Sequence, residues 1–271
     1  MRSARRTLVS GSVLLTGATG GLGPVIAQAF AGRGARLVLT GRRADELERV
    51  AAGVGGRAIA CDLADPDAVD RLVAEAGEID VLVANAGLPA SGHLTSFSVQ
   101  QLNTILDVNL RAPIALSRAL APGMIERGRG HLVFVSSLSG RATSPLSSMY
   151  SATKFGLRGF ALGLRQDLRR DGVGVSVVSA GFVRDVGMFA DSGASLPSGV
   201  GTTTSEQVAA AIIGAIERNR GEVTVAPLPM RIGADIASVA PGLAEMVQRL
   251  ARAERVAQGF VSGQFDKRPP G

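Results

Sequence analysis

The chain has 271 residues and a net charge of +6; aromatics make up only 4% of it and tryptophan is absent. That length suits one α/β domain with a sizeable core, while scattered arginines and few aromatics argue against a nucleic-acid surface and leave attraction of an anionic ligand as the reading of the charge. Cys61 is the only cysteine, which excludes an intramolecular disulfide and a cysteine-based zinc site, leaves no metal site to expect, and is compatible with a reducing, cytoplasmic compartment.

Residues 1–10 read as a basic tail. Arg2, Arg5 and Arg6 superficially resemble the start of a signal peptide, but the apolar stretch that follows is broken by Gly11 and Gly17 and reads better as a strand. No apolar run reaches the length of a membrane span. The predicted elements are a strand over Ser12–Leu15, a helix over Pro24–Gly32, a strand over Arg36–Thr40 and a helix over Ala44–Ala52. A strand over Ala58–Ala60, a helix over Pro66–Ala76 with proline in its first turn, and a strand over Asp80–Ala84 follow. Ser98 and Gln101 have capping-box spacing and open a helix through Asn109, and Pro113–Arg127 continues the helical pattern. Then come a strand over His131–Ser136, a long helix over Met149–Asp171, a strand over Gly174–Ser179, a mobile loop over 186–204, a helix over Glu206–Asn219 and a strand over Glu222–Ala226. Short apolar strands alternating with helices predict βαβ units, hence a single-domain, Rossmann-type doubly wound parallel sheet of about seven strands with helices on both faces. This domain spans 11–227, and 228–271 is a helical extension packed on it.

The first strand runs into Thr16-Gly17-Ala18-Thr19-Gly20-Gly21-Leu22-Gly23 and then a helix. Glycines let the backbone approach a pyrophosphate closely, and a helix N-terminus offers free N–H groups and the positive end of a dipole. A glycine cluster alone can be a simple turn; between the first strand and helix of a βαβ unit it marks a dinucleotide site, with Gly17, Thr19, Gly20, Gly21, Leu22 and Gly23 as its contacts. The second strand ends in Thr40-Gly41-Arg42-Arg43, with no acid before Asp45. A carboxylate there would hold ribose hydroxyls and repel a 2′-phosphate, whereas guanidinium groups bind the phosphate. Arg42 and Arg43 therefore favour NADP(H) over NAD(H), against the alternative that both are solvated loop residues.

Tyr150 is the only tyrosine, and Lys154, one of two lysines, follows it by four residues. On a helix the two share a face, so phenol and ammonium can point into one pocket. A nearby cation lowers a tyrosine pKa from about 10 toward neutrality, which suits a general acid/base acting on an alcohol oxygen. The plainer alternative is a surface pair worth a few tenths of a kcal/mol.

Taken together, these motifs resemble the short-chain dehydrogenase/reductase family over about residues 10–226. The glycine motif of the family is matched by Thr16 to Gly23, its adenine-contacting acid by Asp62 with Leu63 beside it, and its Asn-Ala-Gly by Asn85-Ala86-Gly87. Its helix asparagine is matched by Asn109, its catalytic serine by Ser137, and its Tyr-x-x-x-Lys by Tyr150 and Lys154. The resemblance implies hydride transfer between nicotinamide C4 and a carbonyl/alcohol carbon, in a homodimer or homotetramer. Tyr150 would donate the proton, Ser137 would bond the same oxygen, Lys154 would lower the tyrosine pKa and bind ribose hydroxyls, and Asn109 would hold a water of the proton relay. Gly181, Val183 and Asp185 fall where the family meets the nicotinamide. Here the chain departs: Ala180-Gly181 stands for Pro-Gly, and Asp185 for a threonine. Asp185 would add negative charge by the ring and favour its oxidised form unless Arg184 neutralises it. Gly20 stands where many NADPH-preferring members carry a basic residue, so phosphate recognition falls to Arg42 and Arg43.

Met188, Phe189, Leu196, Pro197 and Val200, with Leu88 and Leu94, suggest a pocket for a lipophilic carbonyl compound, or equally ordinary loop packing. His93 reads as a solvated loop group and His131 as a residue without chemistry. Pro241–Gln258 carries Leu243, Met246, Val247 and Leu250 at helical spacing. Such a helix packs on its own domain by default; it could close the pocket, join subunits or lie on an anionic membrane. The rival function is a non-catalytic NADP(H)-binding sensor or scaffold, which need not keep all four relay residues.

Overall fold

Apolar, branched segments of four to eight residues build one parallel sheet. Its strands are β1 (Ser12–Thr16), β2 (Arg36–Gly41), β3 (Arg57–Ala60), β4 (Val81–Ala84), β5 (Gly130–Ser137), β6 (Val173–Ala180) and β7 (Glu222–Val225), in the order β3-β2-β1-β4-β5-β6-β7. Every neighbouring pair is parallel. The computed structural model describes residues 7–196, 200–250, 253–264 and 268–269. Arg2, Arg5 and Arg6 of the basic tail, Pro197 and the side chain of Leu250 lie outside the described residues.

Alternate side chains leave opposite faces of a strand, and both faces are buried. Leu14, Leu82 and Val177 enter one core, covered by α3 (Pro66–Ala76), α5 (Ala112–Glu126) and α6 (Ser148–Asp167). Val13, Leu15, Val81 and Val83 enter the other, covered by α1 (Gly23–Ala31), α2 (Ala44–Val54) and α8 (Ser205–Glu217). Phe134 of β5 is fully buried and meets Phe160 of α6 edge-on at 5.5 Å; burying such a side chain contributes roughly 1.5–3 kcal/mol. The chain moves outward in opposite directions from β1 and β4, so the loops at their C-terminal ends part and leave a crevice.

The predicted capping box opens α4 (Val99–Leu106): the Gln101 N–H donates to Ser98 Oγ at 3.1 Å and the Ser98 N–H to Gln101 Oε1 at 3.0 Å. Four expectations are corrected. The helix drawn through Asn109 is α-helical only to Leu106, and Asp107–Arg111 form a π turn in which the Ala112 N–H reaches the Asp107 carbonyl. The helix drawn to Asp171 ends at Asp167 and closes in a 3-10 turn over Leu168–Arg170. The loop over 186–204 contains α7 (Gly187–Ala190) and a bridge between Val183 and Thr203. The helix drawn over Pro241–Gln258 is two, α10 (Pro241–Leu250) and α11 (Ala253–Gln264), preceded by α9 (Leu228–Val239) at the start of the helical extension expected over 228–271. Pro227 and Pro229 look like breakers there, but they occupy the cap and first turn of α9, where a missing N–H costs nothing.

α9 is tied to the domain by Asp235, which pairs with Arg141, and by Ser238, whose hydroxyl donates to the Arg141 carbonyl at 3.0 Å. Gln248 of α10 donates to the Thr143 carbonyl at 2.8 Å. The apolar stripe Leu243, Met246 and Val247 nevertheless stays about half exposed instead of packing inward. None of the described helices is long and apolar enough to cross a membrane.

Candidate active site

The C-terminal ends of the strands open onto a cavity of about 710 Å³. Its floor is the glycine turn after β1. Gly17 has φ +66°, and a Cβ on it would lie 2.7 Å from the Ala86 Cα. Gly23 presses against the Gly17 and Ala18 carbonyls beneath the turn, so it supports the lining without joining it. Gly17, Thr19, Gly20, Gly21 and Leu22 do line the cavity. Thr16, absent from the expected contacts, locks the turn to the end of β4: its Oγ1 accepts the Asn85 N–H at 3.1 Å and the Ala86 N–H at 3.0 Å. Asn85 returns its amide to the carbonyls of Thr16 (3.1 Å) and Gly17 (3.2 Å). The two motifs, far apart in the chain, form one cradle with Asn85, Ala86 and Gly87 on the cavity wall.

Arg42, Arg43, Asp62 and Leu63 line the far end. Arg43 donates to the Thr19 carbonyl at 3.0 Å and pairs with Glu46 at 2.8 Å, so part of its donor capacity is in use. Arg42 is exposed and has no side-chain partner among the described residues. Asp62 Oδ1 accepts the Ala64 N–H at 3.0 Å, which turns the chain after β3. A glycine cradle that any side chain would fill, a helix start above it and an uncommitted guanidinium at the end are the features a phosphorylated dinucleotide requires.

Ser137 closes β5, and Tyr150 and Lys154 stand on α6; all three line the cavity. Ser137 Oγ accepts the Ser139 N–H at 3.1 Å. The Lys154 ammonium donates to the Val135 carbonyl at 3.1 Å and lies 5.6 Å from the centre of the Tyr150 ring. Gly140 lets α6 come this close, since a Cβ there would lie 2.6 Å from the Lys154 carbonyl oxygen. The tyrosine pKa moves opposite to expectation. Burial pushes Tyr150 up to about 12, with the Ser137 hydroxyl pulling weakly the other way. Burial also brings Lys154 down to about 8. The physical reason is that desolvation penalises both charged forms, while the ammonium sits over the ring face and bonds a carbonyl instead of the phenol oxygen.

Asn109 is fully buried behind the lining. Its Oδ1 accepts the Leu88 N–H at 2.7 Å and its Nδ2 donates to the Leu88 carbonyl at 3.0 Å. Its side-chain amide is thus committed to the Leu88 backbone. Gly181 and Val183 line the cavity but Asp185 does not. Asp185 accepts the Ser205 N–H at 3.0 Å and the Ser205 hydroxyl, so it serves the first turn of α8 instead of facing the nicotinamide region.

Met188, Phe189, Leu196, Val200 and Leu88 line the other end, whereas Leu94 is 52% exposed and lies outside it. His93 is exposed and bonds Thr95 at 2.7 Å. His131 is buried in the sheet, bonded to Ser176 Oγ at 2.7 Å, and burial pushes it down to about 4. Sequence reasoning missed Phe182 and the last turns of α11 beyond Gln258, which supply Phe260 and Gln264 to the cavity. The signal was there: Val256, Phe260 and Gln264 recur every four residues, but the helix was drawn to stop at Gln258.

A family profile described as short chain dehydrogenase matches residues 12–196. The chain is 38% identical to the ketoacyl reductase HetN of Nostoc sp., over 83% of this chain and 81% of that protein. It is 33% identical to dehydrogenase/reductase SDR family member 7B of Bos taurus, over 90% of this chain and 82% of that one. Among solved structures it resembles a metagenomic short-chain oxidoreductase in complex with NADP, with TM-score 0.68, 31% identity, and coverage of 80% of this chain and 96% of that chain.

Proposed function

The chain belongs to the short-chain dehydrogenase family and is an oxidoreductase, and from that premise we propose that it moves a hydride between NADP(H) and the carbonyl/alcohol carbon of a lipophilic substrate, with Tyr150 as general acid/base. One observation carries this: Ser137, Tyr150 and Lys154 converge on a single cavity whose other end is the glycine cradle with Arg42 and Arg43.

When bound, the dinucleotide supplies the hydride at its nicotinamide C4. The chain does the rest. The backbone of Gly17 to Leu22 and the start of α1 receive the pyrophosphate. Arg42, with Arg43 beside it, meets the 2′-phosphate. Reduction builds negative charge on the carbonyl oxygen, and a donor must be waiting for it. Tyr150 keeps its proton over the whole neutral range because its pKa is pushed up to about 12, so it stands neutral and ready as an acid. Ser137 holds the same oxygen in place. Lys154 supports positive potential beneath the reacting groups and contacts the ribose. Asn109 acts through Leu88 and the π turn, as a positioning residue of the relay. The apolar end formed by Met188, Phe189, Leu196 and Val200 supports a lipophilic substrate, and the name ketoacyl reductase carried by the Nostoc relative supports a carbonyl one.

A panel of medium-chain and aryl ketones and alcohols, followed by NADPH absorbance, tests this. Turnover of at least one ketone, faster with NADPH than with NADH, is expected; a protein that neither binds NADPH nor changes its absorbance with any member overturns it.

A further inference from the structure

α11 meets the cavity with one face. Ala253, Val256, Ala257, Phe260 and Gln264 all line it, and that spacing gathers them on one side of a helix. The adjoining side is packed against the loop after β6. A Cβ on Gly259 would lie 3.4 Å from the Ala194 Cβ, and one on Gly263 would lie 2.5 Å from the Ser192 Cα, so a glycine at 263 lets the helix sit this close. The Phe260 ring stacks on Phe182 at 5.6 Å and leans on Phe189 at 5.6 Å, and those two rings are 5.1 Å apart. Three rings from two separate segments thus form a wall of the cavity that holds Tyr150.

Gln264 is only 3% exposed. Its Nε2 donates to the Met188 carbonyl at 3.1 Å. A carbonyl only accepts, so the NH₂ must face it, and the orientation of the amide is fixed by chemistry. Oε1 then points elsewhere. It has no hydrogen-bond partner among the described residues, and it is not among their sealed, unsatisfied polar atoms. An uncommitted acceptor therefore opens on the cavity beside an aromatic wall. Apart from Lys154, no lysine or arginine lines this end among the described residues, so nothing there pairs with an anionic tail.

We propose that α11 is part of the substrate site and that Gln264 is a specificity-determining residue: its Oε1 accepts a hydrogen bond from a hydroxyl or amide N–H at the far end of an uncharged ketone whose ring-bearing body lies along Phe182, Phe189 and Phe260. This rests on the carbonyl reduction proposed above. A site built to bond a substrate donor rejects the analogue that lacks it, because the buried acceptor is left unmet.

The test compares 4-(4-hydroxyphenyl)butan-2-one with 4-phenylbutan-2-one, using the full chain and NADPH. Wild type is expected to favour the hydroxylated ketone by about tenfold or more in kcat/KM. Gln264→Leu should erase that ratio by raising KM for the hydroxylated ketone about tenfold more than for its partner, with the NADPH Kd held within about twofold. Gln264→Met, closer in shape, serves if the leucine variant does not fold. Reduction of both ketones with no preference in wild type, or a preference that survives in the folded variant, overturns the assignment and leaves carbonyl reduction standing. NADPH binding without reduction of either ketone, and without tighter binding of the hydroxylated one in a fluorescence titration, also overturns it. Absence of NADPH binding overturns the carbonyl-reduction proposal itself, and this assignment with it.

Discussion

Asn109 grips Leu88 by both backbone groups at once, taking its N–H at 2.7 Å and donating to its carbonyl at 3.0 Å. The π turn after α4 is thereby fastened to the loop leaving β4, where a Cβ on Gly87 would lie 3.7 Å from the Lys154 Nζ. Asn109→Ala strands two buried backbone groups, at about 1–3 kcal/mol each. Thermal unfolding should show a loss of that order together with slower turnover, and Asn109→Asp, which keeps the acceptor but sets a buried carboxylate oxygen against the Leu88 carbonyl, should lose at least as much stability. An alanine variant as stable and active as wild type would remove the clamp from the mechanism.

Tyr150→Phe should keep NADPH binding and lower ketone reduction by about 10²–10⁴, because the ring remains while the proton does not. Near-normal turnover in a stopped assay would refute the acid assignment.

The pH profile should report Lys154 before Tyr150. With Lys154 at about 8 and Tyr150 at about 12, the ammonium loses its proton first as pH rises. Reduction should therefore decline on an alkaline limb near pH 8, with the phenol still protonated. A profile flat to pH 10 would contradict the depressed lysine.

Arg42→Asp should weaken NADPH by roughly tenfold or more while changing NADH little, since a hydrogen bond to a charged group contributes about 1.5–3 kcal/mol. Equal losses in fluorescence titrations would put the 2′-phosphate elsewhere.

Asp185→Thr should cost about 1 kcal/mol of stability, through loss of the contacts to Ser205 at the start of α8. The relative affinity for oxidised and reduced cofactor should stay unchanged. A shift toward the reduced form would restore Asp185 to the nicotinamide region.

His131 sets an acid limit. Its folded pKa of about 4 lies below the ordinary 6.5 because burial, and then Arg165, disfavour the cation. Below pH 6.5 the unfolded chain takes up the proton and the folded one does not, so stability falls as pH drops to about 4 and changes no further there. The loss integrates to about 3 kcal/mol. Denaturant unfolding of wild type and His131→Gln between pH 7 and 4 should show the difference.

The strand and helix alternation, the glycine turn and the Tyr150–Lys154 pair were legible because each is written in local spacing: a period of two or 3.6, a turn, an i,i+4 step; Asn85-Ala86-Gly87 and Ser137 were reached only through the resemblance of their motifs to a known family. Even the capping box at Ser98 and Gln101 is a local device. Three things were settled only by distant parts of the chain meeting. Burial, with Lys154 bonded to the Val135 carbonyl, turned the Tyr150 pKa upward. Ser205 claimed Asp185 from twenty positions away. Gly263 against Ser192, and Phe260 against Phe182, brought α11 to the cavity. Local spacing records what a segment can form; desolvation and long-range contact, which decide the charge a group carries and the surface a helix covers, exist only once the chain has folded.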